Sequence, residues 1–300
     1  MAQELEHLLG RLLRQDGLDL EASEFAIRAA MHQVGGVLLG KLLNREPGDS
    51  HAEVKCPAGH VATLVDYRSK EITTVVGQVE FRRAYYHCAE CGAGVLPQDE
   101  ALDLVGTSFS PGVRRLMGRV GGKESFNEGR IDLEELAGIK VQTKAVERVA
   151  EAVGAEIEAC LQKERQVVIN DQKVVPLKSV AKLYVSIDGT GVPVIKRETA
   201  GRRGKSTTGE AHTREAKLAC VFTQTAVDEK GHPVRDEAST TYVGAIEAAA
   251  EFGWRIYGEA ERRGLRRAAQ VIVIGDGAAW VWGIAAEHFP RETAADLLDF

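Results

Sequence analysis

The chain of 300 residues contains no run of about 18 apolar residues, so no membrane-spanning helix is expected. Its first twenty residues lack the basic start, apolar centre and small-residue cleavage site of a secretory signal. They carry Glu4, Glu6 and Asp16 instead, and the cytoplasm is the expected compartment. The five cysteines are odd in number and unevenly placed, which argues against a disulfide framework. Internal repeats and low-complexity tails are absent. So is a positive excess: with a net charge of -6, any DNA-binding face must come from a local concentration of Lys and Arg.

What is present fits a multi-domain α+β chain. Residues 1–48 read as an N-terminal helical region, with Leu8, Leu9, Leu12 and Leu13 and then Val37, Leu38 and Leu42 at helical spacing. Glu46-Pro-Gly-Asp49 is a loop signal, and residues 49–97 follow as a small β-rich module. Ile72, Thr74, Val76, Val79 and Phe81 alternate about Gly77 as strands do. Residues 98–176 read as helical. Residues 177–300 mix apolar strands at Leu183–Ile187, Leu218–Thr223 and Val271–Ile274 with a long amphipathic helix near Ala245–Arg263, a pattern of an α/β sheet layered with helices.

The β-rich module holds the first constellation. Cys56 and His60 form a Cys-x-x-x-His pair, and Cys88 and Cys91 form a Cys-x-x-Cys pair. Zinc takes four soft or borderline ligands in a tetrahedron, which two such short pairs can supply. Gly59 and Gly92 stand where the knuckles need sharp turns. His87 is a rival ligand, but on a strand it points away from its neighbour Cys88.

In the helical region, Leu133–Gly138 reads as a short helix, with a turn through Ile139–Gln142 and a second helix over Lys144–Gly154 capped by Thr143. This has the shape of a helix-turn-helix, with Lys144 and Arg148 on one face to meet phosphates.

The strongest chemical signal is a pair of acids. Leu183–Ile187 runs into Asp188-Gly189, and Val271–Ile274 runs through Gly275 into Asp276-Gly277. Ligands bind at the carboxyl ends of strands in open α/β sheets. Two carboxylates on neighbouring strands can share Mg²⁺ or Mn²⁺ and act on a phosphodiester. A haloacid-dehalogenase-type phosphatase is disfavoured because Ser186 stands at the nucleophile position. Between the acids, Lys196 to Lys217 holds seven basic and three acidic residues. Arg202, Arg203, Lys205 and Arg214 are its candidate DNA contacts.

At these residues the chain resembles the ISKra family of bacterial insertion-sequence transposases. The likeness runs through Cys56-Pro-Ala-Gly-His60, Thr74–Val79, Arg82–Cys91, Val185-Ser-Ile-Asp-Gly-Thr-Gly-Val-Pro193, Arg214–Gln224, Ser239–Ala245 and Gly275-Asp-Gly-Ala-Ala-Trp280. It implies a DNA transposase with a ribonuclease H-like catalytic domain and three metal-binding acids, of which Asp188 matches the first and Asp276 the second. It further implies Mg²⁺-dependent hydrolysis and strand transfer at transposon ends, with DNA ends, target DNA and further copies of the chain as partners. Family members continue past the equivalent of His288-Phe289-Pro290 with another strand, more helices and the third acid. The expectation is therefore an incomplete ribonuclease H-like domain with an open sheet edge and impaired activity. Glu287 is too near Asp276 to be that acid, and nothing places Asp296 or Asp299 in the site. The alternatives are a zinc-containing DNA-binding fragment that does not cut and, further off, an actin-like or kinase-type phosphotransferase.

Overall fold

A computed structural model describes residues 19–44, 52–170, 180–204 and 209–289. The expected first helix, the loop at Glu46–Asp49, Lys205, Asp296 and Asp299 lie outside the described residues. The chain divides into two units, Met1–Ile157 and Glu158–Phe300.

The first unit opens with α1 (Leu20–Leu43), capped by Asp19, whose side chain accepts a hydrogen bond from the Ala22 amide. A sheet follows in the order β1 (Glu53–Lys55), β2 (Val61–Thr74), β3 (Gly77–His87) and β4 (Gly94–Val95), antiparallel throughout. The β2–β3 hairpin turns at Gly77, whose φ of 106° suits glycine alone. The expected alternation holds: Ile72, Thr74, Val79 and Phe81 are buried, and Ile72, Val79 and Phe81 form a core with Leu104. After α2 (Pro97–Ala101), the buried carboxylate of Asp99 is paired with both Lys70 and Arg83.

Next come α3 (Pro111–Gly121), α4 (Phe126–Ala137) and α5 (Thr143–Ile169). Val113, Met117, Leu133, Ile139 and Val146 form their common core. The short helix expected from Leu133 begins earlier, at Phe126. Ser125 caps α4 by accepting from the Glu128 amide, and a Cβ at Gly129 would lie 2.8 Å from Val120, so the glycine serves close helix packing. Gly138, in the left-handed conformation, ends α4. The helix expected to finish at Gly154 runs on to Ile169, and the division between the units falls inside it.

The second unit is built on a sheet of β5 (Val180–Pro193), β6 (Thr213–Gln224), β9 (Thr241–Ala245) and β10 (Ala268–Gly275) in the order β10-β5-β6-β9. A short helix α6 (Lys196–Thr199) precedes β6, and a small β7–β8 hairpin (Ala226–Val227, Pro233–Val234) precedes β9. β5, β6 and β9 are antiparallel in turn. The chain then passes through α7 (Ala249–Arg262) to β10, which lies parallel to β5. α8 (Ala279–His288) follows. Leu183, Val185, Ile187, Ala219, Val221, Val271 and Val273 from one sheet face pack on Phe252, Ile256, Val281 and Ile284 from the two helices. On the opposite face Tyr184 stacks on Phe222 at 4.8 Å, while Leu218, Tyr242 and Ile274 are exposed. Among the described residues no strand lies beyond β10.

Candidate functional site

The Cys/His group is assembled by two backbone knuckles. In the first, the Cys56 amide donates to the His60 carbonyl and the Gly59 amide to the Cys56 carbonyl, at 2.9 and 2.8 Å. In the second, the Cys88 amide donates to Ala93 and the Gly92 amide to Cys88, both at 2.9 Å. Gly59 and Gly92 have φ of 84° and 69°, the left-handed geometry each turn needs.

The four ligand atoms lie within 4.8 Å of one another, and the group can hold a metal ion. The Cys56 and Cys91 sulfurs are 3.7 Å apart, and the Cys88 sulfur is 3.9 Å from His60 Nδ1. A tetrahedron with metal–sulfur bonds of 2.3 Å has edges of about 3.8 Å. Burial pushes the Cys56 thiol up, but hydrogen bonds from the Ala58 backbone, Cys91, His60 and Cys88 outweigh it and leave the thiol below its ordinary value. The thiolate is the form that binds metal. Glu90 is a residue the spacing argument missed: its carboxylate lies 3.8 Å from His60 Nε2, where it can fix the ring's orientation. Its position between Cys88 and Cys91 was the available signal.

In the second unit the register of β5 and β10 pairs Ser186 with Ile274 and Ile187 with Gly275. Asp276, the next residue, therefore stands level with Asp188 on strands about 5 Å apart. Both are exposed, while Ile187 beside Asp188 is buried against the helices, so Asp188 lies on the opposite sheet face. Each carboxylate is held locally. Asp188 Oδ1 accepts from the Gly189 amide at 2.7 Å, and Asp276 Oδ1 accepts from the Ala278 amide at 3.0 Å. Trp282 Nε1 donates to the Asp276 carbonyl at 3.0 Å.

The strand that carries Asp188 is longer than expected. β10 ends before its aspartate, but β5 does not end at Asp188: its ladder with β6 continues to Pro193, opposite Thr213. Asp188 sits in mid-strand, where β10 stops flanking it. Packing explains the glycine after Asp188, since a Cβ at Gly189 would lie 2.9 Å from Trp280 on α8, and likewise the glycine before Asp276, since a Cβ at Gly275 would lie 2.5 Å from Val281. Beside them, buried Lys217 pairs with Glu215 at 2.6 Å and lies 5.1 Å from the Trp280 ring centroid. The Cys/His quartet is the only cluster of three or more metal-capable side chains among the described residues, so no third such group joins Asp188 and Asp276 there.

The expected DNA contacts differ in exposure and pairing. Lys144 is paired with Glu147, Arg148 is exposed, and Arg202 and Arg203 are exposed on the loop after α6. Arg214 is partly buried and pairs with Glu198 at 3.3 Å. No helix among the described residues is long and apolar enough to cross a membrane.

No curated protein is detectably similar in sequence. A family model matches residues 13–208, a span that includes the Cys/His quartet and Asp188 and stops short of Asp276. With more than half of the chain matched, this protein belongs to the uncharacterised protein family UPF0236.

Proposed function

We propose that the chain is a transposase-type protein whose second unit is a ribonuclease H-like domain acting on DNA phosphodiesters through a divalent cation at Asp188 and Asp276. The observation that carries this reading is the β5–β10 register, which sets the two aspartates level on adjacent parallel strands. The sheet order, three antiparallel strands and then a helix leading to a parallel fourth, supports it. Mg²⁺ or Mn²⁺ held by the two carboxylates would supply a metal-activated water and neutralise charge at phosphorus. In the first unit, zinc at Cys56, His60, Cys88 and Cys91 holds the knuckle end of the β-rich module, which has little core of its own. Around the quartet the buried cluster is Ala62, Tyr86 and Val95 beside Cys56 and Cys88, separate from the core of Ile72, Val79 and Phe81.

The absence of a third acid beside the pair among the described residues favours a second reading, a zinc-containing protein that binds DNA without cutting it. Incubation of the full chain with DNA carrying the ends of its own element, with Mg²⁺ or Mn²⁺, separates the two. Nicking that disappears in Asp188→Asn and Asp276→Asn supports the first; binding without nicking supports the second. Nucleotide hydrolysis without DNA overturns both.

A further inference from the structure

Helix α1 (Leu20–Leu43) is apolar on two sides. One side packs inward: Leu39 and Leu43 join the core around Phe81, and Gly35 and Gly36 lie close against Val76. The other side is exposed. Leu20, Ile27, Met31 and Leu38 are each about half exposed or more, at 63, 48, 48 and 49%, and Val34 between them is part-exposed. With Glu24 and Lys41, these residues follow one another at alternating steps of four and three from 20 to 41, the a/d spacing of a coiled-coil seam. At 1.5 Å per residue the seam is about 33 Å long.

Two positions of the seam are charged, and their placement selects one occupant. Glu24 and Lys41 are both exposed, and neither forms an ion pair with another described residue. In a parallel self-pairing Glu24 would face the partner's Glu24 and Lys41 the partner's Lys41, repulsive layers at both ends. In an antiparallel pairing every a residue meets a d residue. Met31 then faces the partner's Val34, Ile27 the partner's Leu38, and Glu24 the partner's Lys41. Because the arrangement is two-fold, each layer occurs twice. Four apolar layers are closed at each end by an opposite-charge pair, and the residues that would weaken a parallel seam specify the antiparallel one.

We infer that the exposed seam of α1 is a homodimer interface, closed by a second copy of this chain in antiparallel orientation. The inference stands independently of the reading of Asp188 and Asp276, since neither residue enters it. It gives a surface to the self-association expected from the sequence.

The test is sedimentation or light scattering of the full-length protein over a range of concentrations. Wild type is expected to dimerise. Glu24→Lys and Lys41→Glu, each placing like charges opposite one another in two layers, are expected to weaken the dimer by about tenfold or more. The Glu24→Lys/Lys41→Glu double variant restores it. Both sites are exposed, and unchanged far-ultraviolet circular dichroism checks that the variants fold. A wild type that stays monomeric overturns the inference. So do single variants that dimerise as well as wild type, or a double variant as weak as the singles.

Discussion

A Cβ built on Gly189 would lie 2.9 Å from Cζ2 of Trp280 and 3.1 Å from Oε1 of Glu215. The glycine after Asp188 thus lets the first turn of α8 close over β5, which fixes the strand beside the acid pair. Gly189→Ala should push the indole or the strand aside and cost about 1–3 kcal/mol, as overpacking does elsewhere. Chemical denaturation followed by tryptophan fluorescence measures this. A variant as stable as wild type would show that Trp280 yields freely.

The buried Cys88 sulfur is central to the metal group. Cys88→Ser should abolish stoichiometric zinc in the purified protein and lower the melting temperature of the first unit, with the second unit little changed. Metal content by atomic spectroscopy, read beside a melting curve, checks both effects. Equal zinc in wild type and variant would remove the quartet from the account.

His288 is buried against Trp254 and Tyr257, and burial holds its ring below the ordinary histidine value despite the nearby Glu287 carboxylate. Below about pH 6.5 the unfolded chain protonates this histidine while the folded chain resists. The stability of the second unit should therefore be full above pH 6.5 and fall as the pH drops through the lowered value. His288→Phe should flatten that slope between pH 7 and 5. Denaturation midpoints across that range give the answer, and identical slopes would count against it.

How much of this was legible in the sequence depends on how local each feature is. The Cys56–His60 and Cys88–Cys91 pairs were readable because each closes a single turn, with Gly59 and Gly92 supplying the left-handed residue. The strands before Asp188 and Asp276 were readable as apolar runs, and their parallel pairing puts the acids at one level. What escaped depended on distant partners. The extension of β5 to Pro193 is created by its ladder with β6, whereas Gly189 and Gly191 in sequence look like a loop. The helix over Phe126–Ala137 was obscured by Gly129, which is there because Val120 packs on it. α5 passes Gly154 because one interior glycine costs only about 1 kcal/mol in a 27-residue amphipathic helix. The basic residues between the acids looked like a free cluster, but Arg214 and Lys217 are engaged by Glu198 and Glu215.

The central claim is that Asp188 and Asp276 act together on one divalent cation. Mn²⁺ binding to the full-length protein, followed by electron paramagnetic resonance or calorimetry, tests it most directly. The account predicts a site in wild type that Asp188→Asn and Asp276→Asn each weaken by about tenfold or more, with zinc content unchanged in both. Mn²⁺ affinity that survives intact in the double variant would contradict it.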